Sequence, residues 1–193
     1  NYQISAVTAI HTTTDGDILA AGYVNTFKSQ QIQYPYEDAF VARVSATGEI
    51  KWLMTYDRNK MECTRENLFR PFLISEGARN EIIVAAEMFN CISETQTLVV
   101  LKLDPSGNVI WSSSYQYPLS LTYRSGMTID GTGMSFWGTR AVANQNGQNY
   151  LDHLQFDYNN GNMISRRSWE LISNPEDPDN TFGGNIFSTQ KMN

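Results

Sequence analysis

Residues 38–56, DAFVARVSATGEIKWLMTY, return in altered form at residues 97–115, TLVVLKLDPSGNVIWSSSY. Gly48, Ile50, Trp52 and Tyr56 recur as Gly107, Val109, Trp111 and Tyr115, each 59 positions further on. Four matches at a single offset mark an internal repeat. A more divergent third copy runs from Leu154 and Phe156 through Tyr158-Asn159-Asn160-Gly161-Asn162 to Met163, Ser165, Arg167 and Trp169. Its turn is one residue longer, and Ser165 stands where the other copies have Trp.

Each copy follows another hairpin. Ala6 to Thr13 and Ile18 to Tyr23 flank Thr14-Asp15-Gly16-Asp17, Leu68 to Ile74 and Ile82 to Met88 flank a turn from Ser75 to Glu81, and Gly126 to Ile129 and Met134 to Thr139 flank Asp130-Gly131-Thr132-Gly133. Gly and Asp supply the tight or left-handed backbone that such turns need. Each repeat therefore reads as four short strands, A to D. In strand D, alternation puts Ile50, Trp52, Met54 and Tyr56 on one side and Lys51 and Thr55 on the other. Strand B is continuously apolar, as in Ile82-Ile83-Val84-Ala85-Ala86, which suits an inner strand covered on both faces. No segment carries a sustained helical period, so fewer than about one residue in ten is expected in helix.

Sheets of four strands cannot each bury their apolar faces alone, so they must stack. Small residues at Ala20, Ala21, Gly22, Ala85, Ala86 and Gly138 favour strands crowded near a central axis. The expected fold is all-β, a run of β-propeller blades belonging to a larger or oligomeric propeller. Blade 1 covers about residues 4–57, blade 2 about 66–116 and blade 3 about 123–170, with the opening strand of a next blade at about 180–190.

The pattern 15–23, DGDILAAGY, followed by 38–44, DAFVARV, and 47–52, TGEIKW, resembles the repeat of extracellular bacterial-type seven-bladed β-propeller proteins. Residues 101–111, LKLDPSGNVIW, resemble it as well, while the third copy keeps Gly138 and the Asn160-Gly161-Asn162 turn. The resemblance implies architecture and a surface or secreted setting, and no shared chemistry.

The composition excludes several partners. Fourteen Lys and Arg against twenty Asp and Glu give a formal charge of −6, and Arg166-Arg167 is the one adjacent basic pair, so nucleic acid and anionic membranes are poor partners. No run of 18 apolar residues occurs, which argues against membrane insertion. The expected partners are a protein or glycan ligand, further propeller blades, or copies of the chain itself, and no cofactor is implied.

In a propeller the A–B and C–D turns leave one rim, and the B–C and D–A connections leave the other. The first rim has brief turns, and the second carries the long connections Asn25 to Glu37, Asp57 to Glu66, Phe89 to Gln96, Arg140 to Tyr150 and Glu170 to Asn180. Long loops on a rigid scaffold are the usual binding surface. Tyr34 and Tyr36, around Pro35, present aromatic surface there, and Asn90, Glu176 and Asp177 add polar groups. Asp15, Asp17 and Asp130 are read as turn formers, His11 and His153 as structural histidines, Trp52 and Trp111 as packing residues, and Arg43 and Lys102 as outward-facing strand charges. The chain has no phosphate-cradling glycine motif, serine elbow or metal-binding His/Glu helix, so no catalytic or metal residue is assigned. Cys63 and Cys91 are the two cysteines, on connections that reach the same rim of neighbouring strands, and are expected to form a disulfide. Two free, buried thiols are the alternative. A non-catalytic extracellular or cell-surface binding module is the leading functional reading, a structural subunit of a filament or coat comes second, and a glycan-processing enzyme third.

Overall fold

The computed structural model describes residues 3–26, 36–56, 68–90, 95–116, 121–130, 133–141, 149–172, 185–186 and 190–191. They form an all-β fold with three four-stranded antiparallel sheets. The chain divides into two units, Asn1–Pro118 and Leu119–Asn193.

In the first unit, β1 (Gln3–Thr12), β2 (Ile18–Thr26), β3 (Tyr36–Val44) and β4 (Ile50–Tyr56) form sheet 1, each strand pairing with the next. Sheet 2 repeats the pattern with β5 (Leu68–Glu76), β6 (Ile82–Asn90), β7 (Thr95–Leu103) and β8 (Val109–Gln116). One parallel bridge, Glu37 with Leu68, links the start of the inner strand β3 to the start of β5. In the second unit, β9 (Leu121–Ile129), β10 (Gly133–Ala141), β11 (Asn149–Asp157) and β12 (Met163–Ile172) form sheet 3. The short pairs β13 (Asn185–Ile186) and β14 (Gln190–Lys191), from the segment read as opening a further blade, run antiparallel to β12. Among the described residues the helical structure is one turn, Ala78–Asn80.

One turn design closes the hairpins. Ser45 N–H donates to Glu49 O and Gly48 N–H to Ser45 O, and Asp104, Gly107 and Asn108 repeat this set in sheet 2. The geometry needs a left-handed residue in fourth place, which Gly48 (φ 90°) and Gly107 (φ 88°) supply without a Cβ clash. In sheet 3 the closing bond spans one residue more, from Asp157 N–H to Asn162 O, with Gly161 left-handed. The Asp104 carboxylate accepts from the Ser106 and Asn108 amides, and the Asp157 carboxylate accepts from the Asn159 amide, fixing each turn locally.

Strand D departs from the simple alternation. The register shifts between Arg43 and Val44, so Trp52 pairs with Arg43 while Ile50 pairs with Val44, and Lys51 is bulged out between them. Because Arg43 and Val44 point to opposite faces, the bulge moves Ile50 off the face that carries Trp52, Met54 and Tyr56. Sheet 2 has the same shift between Lys102 and Leu103.

The core of the first unit lies between its two sheets. Leu19, Ala21, Ala39 and Val41 of sheet 1 cluster with Ile82, Val84, Ala86, Leu101 and Leu103 of sheet 2. Each large aliphatic side chain buried there contributes about 1.5–3 kcal/mol. Strand D reaches across to the next sheet's turn. Trp52 Nε1 donates to the Pro105 carbonyl (3.0 Å), and the Tyr56 hydroxyl donates to the Gly107 carbonyl (2.7 Å). The indole covers Gly107 so closely that an added Cβ would stand 3.0 Å from Trp52 Cζ3. Thr8 Oγ1 similarly donates to Pro71 O, and Thr14 N–H to Glu76 Oε2. Gly22 answers another close approach, since a Cβ there would meet Ala6 O at 2.0 Å. In the second unit, Met134, Phe136, Leu154, Phe156 and Tyr158 are buried, with Phe136 and Phe156 edge to face at 5.2 Å.

A comparison of two glycines isolates the sheet-to-sheet contact. Gly48 and Gly107 share a left-handed backbone, but an added Cβ meets nothing within 4 Å at Gly48. Gly48→Ala should therefore cost about 1 kcal/mol from backbone strain alone. Gly107→Ala should cost at least about 1 kcal/mol more through overpacking against Trp52. Equal urea midpoints for the two variants would remove the Trp52 seat from the account of stability.

Candidate functional site

The short-turn rim carries two charge clusters whose ions sit on corresponding positions. Asp17 and Glu81 each precede the strand-B segment, and Arg43 and Lys102 each stand next to last in strand C. Arg43 Nε donates to Asp17 Oδ2 (2.6 Å) and its Nη2 to Asp15 Oδ2 (2.7 Å), while Lys51 Nζ donates to Asp17 Oδ2 (2.5 Å). Lys102 Nζ pairs with Glu81 Oε2 at 3.0 Å. Arg43 and Lys102 are 7% and 5% exposed, which corrects their reading as outward-facing charges. The cause is the turn geometry, which brings an acid from the A–B turn over the end of strand C and lets the cation stay inside. Sheet 3 has the neutral Gln155 at the cation's position, accepting from Ser165 Oγ of strand D (3.2 Å).

The hydrogen bond from Thr13 lowers the Asp15 carboxyl pKa, helped by the Asp17 amide and by Arg43 and Lys51. The Asp17 carboxyl is lowered chiefly by the bonds from Lys51 and Arg43. Both are thus held as carboxylates, and the stability they add is present above the ordinary carboxylate range and lost as pH falls through their depressed values. Asp104 behaves alike, held down mainly by Asn108. Asp130 serves the β9–β10 turn, accepting from the Gly133 amide at 2.7 Å. Among the described residues, no three His, Cys, Asp or Glu side chains are placed to hold a metal ion.

At the opposite rim, Tyr36 is the first residue of β3, paired with Thr26, and Asn90 is the last of β6, paired with Thr95. Both stand where a B–C connection meets its sheet. Tyr34, Glu176, Asp177, Cys63 and Cys91 lie outside the described residues. Beside Tyr36, Glu37 accepts a two-pronged bond from Arg70, with Arg70 Nη2 to Glu37 Oε1 at 2.8 Å and Arg70 Nε to Glu37 Oε2. The guanidinium lies 5.1 Å from the Tyr23 ring centre. Glu87, paired with Arg70 along the β5–β6 ladder, is pushed up by burial and partly drawn back by Arg70. This clamp fixes the ends of β3 and β5 from which long connections depart. Sequence reading missed it, because a contact between residues 33 apart in different repeats leaves no local pattern.

Sheet 3 adds an aromatic face that was also missed. Trp137 stacks on His153 at 4.0 Å and on Trp169 at 5.9 Å. Burial and Arg167 lower the His153 pKa, favouring a neutral imidazole in the stack. A signal existed, since the third copy has Trp137 and His153 on the rungs where the first has Ala21 and Val41. His11 lies on β1, away from this stack in sequence and sheet. No helix among the described residues is long and apolar enough to cross a membrane. In comparison with known proteins, no family model and no curated protein matches the chain.

The buried pair in sheet 2 provides a test. Lys102→Met should lower stability by about 3 kcal/mol, because Glu81 loses this counter-ion in a site where ions are poorly solvated. Adding Glu81→Gln should restore at least half of the loss. Urea unfolding of the two variants checks this, and a single variant as stable as the parent would show the pair to be dispensable.

Proposed function

We propose that the chain is a run of β-propeller blades serving as a non-catalytic binding module outside the reducing cytosol, with recognition at the rim of long connections. The observation that carries this reading is the engagement of the acids at the short-turn rim. Asp15 and Asp17 are held by Arg43 and Lys51, Glu81 by Lys102, and Asp104 by its own turn. Carboxylates tied into ion pairs and turn closures are poor general acids, bases or nucleophiles. The opposite rim combines a clamped base, Glu37 with Arg70, with connections long enough to carry a binding surface. The resemblance to bacterial-type seven-bladed repeats supports the propeller architecture and the extracellular or cell-surface setting.

Tyr34 and Tyr36 are the proposed contact residues, with Asn90, Glu176 and Asp177 as polar companions, and the ligand class is a protein or a glycan. A glycan microarray probed with the chain should give signals that fall at least about tenfold in a Tyr34→Ser/Tyr36→Ser variant of unchanged circular dichroism. Binding that survives both changes, or hydrolysis of an aryl glycoside that Asp17→Asn abolishes, overturns the reading.

The proposed Cys63–Cys91 disulfide closes a loop whose entropy cost in the unfolded chain is worth about 3–4 kcal/mol. Thiol titration of the native, unreduced protein should find no reactive cysteine, and reduction should lower the thermal midpoint. Two thiols labelled before reduction would remove the case for an oxidising compartment. A structural role in an assembly is the second reading, favoured by the exposed aliphatic side chains Ile10, Ile18 and Leu53 of sheet 1.

A further inference from the structure

We propose that the aromatic face of sheet 3 is a second ligand site, across which an acidic oligosaccharide lies with one sugar ring against Trp137 above Gly126 and a carboxylate on Arg167. The site is separate from the rim of long connections and does not depend on it.

The pairing registers define this face. Gly126, Trp137, His153 and Arg167 stand side by side on β9 to β12. Alternation puts Ser135 and Gln155 beside Trp137 and His153 in one direction along the strands, and Leu151 and Trp169 in the other. The corresponding rungs of sheets 1 and 2 carry a different chemistry. Where sheet 3 has Ser135, they have Leu19 and Ile83; where it has Trp137 and His153, they have Ala21 with Val41 and Ala85 with Val100. All six of those residues are fully buried, whereas Trp137 is 38% exposed. An apolar sheet laid on the sheet 3 face would strip water from Ser135, Gln155 and Arg167 without replacing its hydrogen bonds, which is costly. Sheet 3 has thus exchanged a stacking surface for an aromatic one bordered by polar groups.

Gly126 gives an independent sign. It is a strand glycine with no left-handed φ, and a Cβ added to it would meet nothing within 4 Å. At Gly22 the chain itself explains the missing side chain, because a Cβ would strike the Ala6 carbonyl at 2.0 Å. No such crowding explains Gly126. A glycine weakens a strand and often marks a place where a ligand comes close to the backbone. Trp137 draws both of its aromatic partners from one side of β10, His153 from β11 and Trp169 from β12. Gly126 lies on the other side, on β9, so it leaves room beside the indole, with the exposed Thr128 further along the same strand.

The side chains name the ligand class. A sugar ring is apolar across its C–H face and polar round its edge, which matches an indole flanked by hydroxyl and amide groups. Arg167 adds the charge. It is exposed, and His153 is kept neutral by burial first and by Arg167 second, so the guanidinium and not the imidazole supplies the cation. On a chain of formal charge −6 this local positive group selects a carboxylate, which a guanidinium binds through charge-assisted hydrogen bonds.

An array of neutral, uronate-bearing and sialylated oligosaccharides, probed with the full chain, tests the proposal. Carboxylated sugars should be retained, and their methyl esters should bind at least about tenfold more weakly. Gly126→Val fills the space beside the indole at a position with room for a side chain, so it should keep the parent's urea midpoint or raise it and yet lose binding at least about tenfold. Arg167→Gln, at an exposed position, should bind acid and methyl ester alike. An array on which no carboxylated sugar is retained overturns the proposal, as does binding left unchanged by Gly126→Val or an acid preference left unchanged by Arg167→Gln. Should Gly126→Val fail to fold, Trp137→Ala replaces it, with the same loss expected and unchanged binding overturning the proposal. Signals that fall in Gly126→Val belong to this face, and those that persist there and fall in Tyr34→Ser/Tyr36→Ser belong to the rim, so the two readings fail separately.

Discussion

A sheet of four short strands has two faces and too little thickness to shield either, and most of what this chain does structurally answers that constraint. Sheet 1 places Leu19, Ala21, Ala39 and Val41 against Ile82, Val84, Leu101 and Leu103 of sheet 2. Close approach sets the side-chain sizes. Alanines line the strands that meet, and within sheet 1 itself Gly22 is needed because the Ala6 carbonyl and the Phe40 ring leave no space for a methyl group. Trp52 and Tyr56 then extend the contact from the strands to the neighbouring turn, each spending its polar atom on a carbonyl of that turn. Apolar burial supplies the energy of stacking, and these two directional bonds fix where the sheets come to rest.

The ion pairs obey a different logic. Burying Arg43 with Asp17, or Lys102 with Glu81, recovers little net energy, because the attraction is set against the loss of water. Their value lies in geometry. The acid belongs to the A–B turn and the cation to strand C, so the pair ties the outer hairpin to the inner strands and holds the bulged end of strand D, where Lys51 joins the same carboxylate. In sheet 3 the cation's position is held by Gln155, which accepts from Ser165 of strand D, so there the bond joins strands C and D.

Much of the architecture was legible because the repeat is written in residues with local meaning. Gly48 and Gly107 announce a left-handed turn position, and the match of Trp52 with Trp111 sets the strand phase. The burial of Arg43 and Lys102 was not legible, since a charged residue on a strand looks the same in sequence whether its partner is water or an acid 26 residues away. Nor was the displacement of Ile50, because a bulge costs one residue of register and leaves no composition signal. The candidate site was less readable still. Tyr36 and Asn90 can be placed at the ends of β3 and β6, but the clamp of Glu37 and Arg70 arises only once the start of β5 meets the start of β3.

The glycine-closed turns also shape the route to the folded state. In each sheet every strand pairs with its sequence neighbour, so the bonds that define a meander close over a few residues. A hairpin of this kind forms in about 1–10 μs, and the loop entropy spent is small. The sheets therefore do not depend on one another to take shape, and the later, slower event is their docking. Between the two events each newly made meander exposes aliphatic side chains on both faces, Ile82 and Val84 on one and Ile83 on the other in sheet 2, with strand edges still unpaired. On a ribosome or in an export channel, that interval is when the chain is most open to non-native association, and its length is set by how soon the neighbouring sheet emerges.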